Sequence, residues 1–117
     1  RIPIRLAMTY PYRAENPAPP LDLLTCGALT FDRPDREAFP CLAIAEEAAE
    51  RGGNVCAAMN GANEAAVALF LQDRIGFYDI ARLVRRATDA VDFVARPDLE
   101  ALLAADAAAR NVVLAEF

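Results

Sequence analysis

Apolar and polar positions along this chain fall into two textures that meet near residue 39. Beyond it the spacing is helical. Pro40 suits the first turn of a helix and Gly52-Gly53 suits its end, which predicts a helix over Pro40–Arg51. A second helix is predicted from about Asn60 to Gln72. Asn60 is its N-cap, Glu64 lies in its first turns, and Ala66, Val67, Phe70 and Leu71 form its buried face. The third, from about Asp79 to Val91, has the cleanest period, with Ile80, Leu83, Val84, Ala87 and Val91 on one stripe. Pro97 starts a short helix through Leu103, and Asp106 caps a last one whose face carries Ala109, Val113 and Phe117. Ile75-Gly76-Phe77 reads as a tight apolar turn that plugs into the core.

Ahead of residue 39 the pattern changes. Seven of the eight Pro lie at or before Pro40, so the stretch from Tyr10 to Arg36 reads as an extended, proline-stiffened arm. It carries Leu21, Leu23, Leu24, Leu29 and Phe31, too many apolar side chains for a solvated linker. The arm is therefore expected to lie against folded protein, with a short strand over Ala28–Phe31 at a sheet edge. Ile2 to Thr9 fits two patterns. Ile2, Ile4, Leu6 and Met8 alternate as in a strand, whereas Pro3 with Ile4, Ala7 and Met8 fits a short helix, the preferred reading. The fold class is then mainly α: a bundle of four to five helices preceded by a long proline-rich arm.

Composition narrows the chemistry. The 117 residues suffice for one domain, and much of the apolar fraction of 56% is Ala, which favours helix but buries little area. There is no His, Lys, Ser or Trp, so the usual general bases, Schiff-base amines and imidazole metal ligands are missing. All twelve basic residues are Arg, and the net charge is −5. An acidic chain disfavours nucleic acid and anionic membrane as partners. No apolar run approaches the length of a membrane span. A chain that opens on Arg1 and runs straight into an apolar stretch is expected to be a piece of something larger.

The polar clusters each have a structural reading. Glu46 and Glu50 share a helix face and could hold a metal or form an acid/base pair, but a bundle di-metal site wants a Glu-x-x-His pattern. With Glu47 pairing Arg51 at i,i+4, the group reads as a solvated face. Asn60, Asn63 and Glu64 open an apolar helix and could hold an anion or cap the helix. Capping is preferred, because Glu64 would repel a phosphate. Arg82, Arg85 and Arg86 are interleaved with Asp79 and Asp89, a mixed-sign face and not a nucleic-acid stripe. Cys26, Cys41 and Cys56 lack the CxxC spacing of a zinc site and read as reduced thiols, with Cys56 in a loop. Gly53, Gly61 and Gly76 do not make a phosphate-cradling loop.

An ordered set of runs nevertheless resembles one family. The set begins with Pro3-Ile4, Leu6-Ala7 and Thr9-Tyr10-Pro11, then Pro20-Leu21-Asp22-Leu23 and Ala28-Leu29-Thr30-Phe31. It continues through Pro34-Asp35, Phe39-Pro40-Cys41-Leu42, Met59 to Glu64, Ala66-Val67, Phe70-Leu71 and Ile75 to Ile80. Together they resemble the C-terminal third of 1-deoxy-D-xylulose 5-phosphate reductoisomerases. The resemblance implies an enzyme that converts 1-deoxy-D-xylulose 5-phosphate to 2-C-methyl-D-erythritol 4-phosphate with NADPH and a divalent metal, Mg or Mn, in non-mevalonate isoprenoid biosynthesis. It implies that residues 1–9 are the tail of the central catalytic domain, 10–36 the linker arm and 37–117 the helical bundle. It assigns no catalytic, cofactor-binding or metal-binding residue here, since those positions match segments upstream of Arg1. Implied partners are the NADPH-binding and central domains of its own chain and a second copy in a homodimer, in the cytoplasm (bacterial, or a plastid). Gly61 stands where the family usually has Ala, a loss of about 0.5–1 kcal/mol of helix preference. Cys26 and Cys56 fall at variable positions. The other reading is a stand-alone acidic helical interaction module.

Overall fold

A computed structural model describes residues 2–15 and 19–116. The chain divides into two units, Arg1–Arg33 and Pro34–Phe117. In the first, helix α1 spans Ile2–Thr9, which decides the ambiguous segment in favour of helix. The Thr9 hydroxyl lies 3.1 Å from the Arg5 carbonyl oxygen and 2.8 Å from that of Tyr12, and closes the helix into a turn. Beyond it, Asp22 organises a second turn: its Oδ1 accepts the Leu24 N–H at 2.9 Å.

The expected strand over residues 28–31 does not form, and no strand exists among the described residues. A strand needs a ladder partner for its backbone groups, and a chain made of helices offers none. Leu21, Leu23, Leu24, Leu29 and Phe31 are exposed, so the cover expected over the arm is not found among the described residues either.

The second unit holds four helices: α2 (Pro40–Arg51), α3 (Val55–Leu71), α4 (Phe77–Ala90) and α5 (Leu99–Leu114). α2 runs as predicted. Pro40 opens its first turn, and Gly52, at φ 66°, ends it with its N–H on the Ala48 carbonyl. α3 begins five residues before the predicted Asn60, with Asn54 at the N-cap position. Asn60 is therefore interior to the helix, and Cys56 lies in its first turn and not in a loop. α4 starts at Phe77, where the Asp79 carboxylate accepts the Gly76 N–H at 2.9 Å. In place of two short helices after Pro97 there is one. Asp98 caps it by accepting the Ala101 N–H at 2.8 Å. Asp106 does not cap anything. It faces Arg110 at i+4, because the Ala-rich run around it has no Gly or Pro to stop the helix.

α3 is the axis of the unit, packed on α5 and α4. Among the described residues, eight of the fifteen buried apolar side chains are Ala. Ala58, Ala62, Ala65 and Ala66 of α3 join Ala105 and Ala109 of α5 in the core. Leu83, Val84 and Val113 are the largest fully buried side chains. Small residues let two helices approach closely, and Gly61 takes this furthest. A Cβ there would lie 2.7 Å from the Asp106 carbonyl oxygen. The Ile75–Phe77 turn enters the core only partly: Ile75 packs against it, while Phe77 is exposed. Leu71, expected on the buried face of its helix, is exposed as well.

Candidate functional site

Where α2 begins, it crosses α3 and α4, and the three helices leave an open groove of about 230 Å³. Phe39, Pro40 and Cys41 come from the α2 start, Asn63 and Val67 from α3, and Phe77, Tyr78, Ile80 and Ala81 from α4. Phe77 meets Phe70 edge-to-face at 5.9 Å and Tyr78 at 5.7 Å, a geometry that ring quadrupoles favour. The rim is exposed: 61% for Phe39, 58% for Phe77 and 80% for Tyr78. No charged side chain lines the groove. Burial pushes the Cys41 thiol up, so it is protonated at neutral pH and a poor nucleophile. Asn63 supplies the one amide side chain on the wall. Such a surface can bind apolar matter and hydrogen-bond a peptide group. It offers no charged side chain to a phosphate.

The carboxylates singled out in the sequence lie elsewhere, each tied to a guanidinium. Glu46 takes Arg36 at 2.6 Å, which holds its carboxyl below the usual range. Glu47 pairs with Arg85 at 2.6 Å and Arg51 with Asp89 at 3.6 Å. The expected Glu47–Arg51 pair is replaced by these two cross-links, because α4 brings Arg85 and Asp89 alongside α2. Glu64 is not a first-turn residue of its helix. It bonds Arg110 of α5 at 2.6 Å, and Arg110 also grips Asp106 at 2.7 Å. Hydrogen bonds from Arg110 and Asn60 hold the Glu64 carboxyl below its ordinary pKa. Asn60 and Asn63 thus part company, one supporting Glu64 at 3.4 Å, the other facing the groove. Asp79 pairs with Arg82 as predicted, at 3.2 Å, and its pKa is lowered first by the Gly76 N–H and then by Arg82. Glu116 accepts from both Arg82 and Arg86.

Neither group implied by the resemblance fits the carboxylates and guanidiniums of this ion-pair network. A divalent cation wants several free carboxylate oxygens, and among the described residues no three His, Cys, Asp or Glu are grouped to supply them. The phosphates of a nucleotide want unengaged cations or a glycine-rich helix start, whereas Arg82, Arg86 and Arg110 already carry carboxylates.

Sequence reasoning missed two features. It did not find the groove, and it did not find Asn54. That side chain is 3% exposed, donates to the Asp92 carbonyl at 2.9 Å and accepts the Val94 N–H at 2.9 Å. Gly53 beside it, at φ 59°, lies so close that a Cβ would come 2.7 Å from the Phe93 ring. The run Gly52-Gly53-Asn54 was the available signal, a helix stop followed directly by a cap residue.

Residues 1–112 match the model of the DXP reductoisomerase C-terminal domain. The chain belongs to this family. A 1-deoxy-D-xylulose 5-phosphate reductoisomerase of Synechococcus sp. is 49% identical over 110 residues, which are 94% of this chain and 28% of the relative. The reductoisomerase of Zymomonas mobilis, solved in complex with NADPH, superposes with a TM-score of 0.83 at 41% identity. That match covers 98% of this chain and 30% of the other. A reductoisomerase solved with NADPH, fosmidomycin and magnesium gives a TM-score of 0.80 at 37% identity, again over 98% of this chain and 30% of that one. The chain thus spans about three-tenths of the length of the relatives it matches. The resemblance read from the ordered runs holds across the whole chain.

Proposed function

We propose that these residues are the C-terminal structural domain of an NADPH- and divalent-metal-dependent reductoisomerase converting 1-deoxy-D-xylulose 5-phosphate to 2-C-methyl-D-erythritol 4-phosphate. On this reading the groups that bind cofactor, metal and substrate belong to the part of the enzyme outside these residues. Residues 1–9 end the central domain, 10–36 link, and 37–117 form the bundle. The complete protein is a cytoplasmic homodimer. No helix of the described residues is long and apolar enough to cross a membrane.

The observation that carries the reading is the family match over residues 1–112. Isothermal titration of the 117-residue chain with NADPH and Mg²⁺ tests it, with circular dichroism to confirm that the helices are present. No saturable heat is expected from the helical chain, whereas the complete enzyme binds NADPH and reduces the sugar phosphate. Substrate-linked NADPH binding by the 117 residues alone would overturn the assignment.

A further inference from the structure

The groove between the start of α2 and helices α3 and α4 asks for an occupant. Its rim displays Phe39, Phe77 and Tyr78, three rings more than half exposed on a chain of net charge −5. Aromatic side chains placed around an apolar pocket are the usual anchors of a protein interface. The pocket, at about 230 Å³, is smaller than the ~300–1,000 Å³ typical of sites that enclose a small molecule, and it is open on one side. With no cation in its wall it would not retain a phosphate, a nucleotide or a sugar phosphate. The amide of Asn63 can both donate and accept, which matches the N–H and C=O of a peptide group. These properties together describe a seat for apolar side chains on a stretch of polypeptide.

We infer that the aromatic-rimmed groove seats an apolar segment of the same enzyme's polypeptide, drawn from the part outside these 117 residues. This rests on reading the chain as one domain of a longer reductoisomerase. The relatives are more than three times as long as their matching portion, so a large folded body is available to cover the face. The absence of charge in the wall suits a permanent intramolecular contact better than a steered encounter with a free partner. It also fits an Ala-rich bundle with little large-residue core of its own, to which such docking adds buried area.

The test uses the complete enzyme carrying Tyr78→p-benzoylphenylalanine, at a position 80% exposed whose replacement leaves the bundle core untouched. After irradiation and digestion, cross-linked peptides are expected from outside the 117 residues, within one polypeptide. Cross-links to the same 117 residues of a second copy, or none at all, would overturn the inference. A second measurement uses Cys41 as a reporter on the groove wall and exposed Cys56 as its reference. Tyr78→Asp should raise the alkylation rate of Cys41 about tenfold, equivalent to loosening the seat by about 1.4 kcal/mol, and leave Cys56 unchanged. An unchanged Cys41 rate counts against the seat. The functional assignment is judged separately, because an enzyme that cross-links as expected yet fails to reduce the sugar phosphate keeps this interface and loses that activity.

Discussion

Gly61 is the residue at which local preference and tertiary demand pull in opposite directions. In the middle of a helix, Ala outranks Gly by about 1 kcal/mol. In this fold the missing side chain is what lets α5 approach, since a Cβ at 61 would lie 2.6 Å from Asp106 Oδ1 and 2.7 Å from the Asp106 carbonyl oxygen. The carboxylate can swing aside, but the backbone carbonyl cannot. Gly61→Ala is therefore expected to lower stability by about 1–3 kcal/mol despite its better propensity, as overpacking does. Urea unfolding checks this, and a midpoint equal to or above that of the parent would refute the close approach. Read along the chain, Gly61 could only register as a helix weakness. The contact that explains it is 45 residues away in sequence.

Among the elements, the junction between the start of α3 and the segment entering α5 stands out. Asn54 sits at the N-cap position of α3 yet sends its side chain across to Asp92 and Val94, while its own N–H bonds the Val94 carbonyl at 3.2 Å. One residue thereby pins a loop that has no regular structure of its own. Asn54→Ala should destabilise by about 2 kcal/mol, because it removes two hydrogen bonds and strands the partners that made them. Denaturant unfolding would show the loss, and a change below a few tenths of a kcal/mol would mean that the junction is held by packing alone. Element types after residue 39 were legible because Pro40, the paired glycines and the stripe of α4 are local signals. Element ends were less so. Asn60 and Asp106 both look like caps, but each is held inside a longer helix by Ala-rich flanks, and their side chains serve Glu64 and Arg110 instead.

At the scale of the molecule, exposed ion pairs tie the helices to one another, and their dependence on pH has a definite sign. Arg36 lowers the pKa of Glu46, Arg110 that of Glu64, and the Gly76 N–H with Arg82 that of Asp79. A carboxyl that is more acidic folded than unfolded stabilises the fold fully above its unfolded pKa, near 4 for these groups, and loses that contribution as the pH falls through its folded value. The thermal midpoint should therefore stay level from neutral pH to about pH 5 and decline below about pH 4. Scanning calorimetry across that range is the check, and a midpoint that rises on acidification would contradict the pairing. Because each pair is solvated, the decline should be gradual, with no abrupt collapse. The residue order by itself determined that this chain is helical after residue 39, that it lacks imidazole and amine chemistry, and that it belongs with the reductoisomerase C-terminal domains. All of these follow from short-range periodicity, residue inventory and ordered runs. Only the tertiary structure decided which Arg each carboxylate meets, why a glycine stands at 61, and that three helices leave an uncharged aromatic groove. Those outcomes depend on side chains from distant parts of the chain arriving at one place, and no local pattern encodes the distance between two helices.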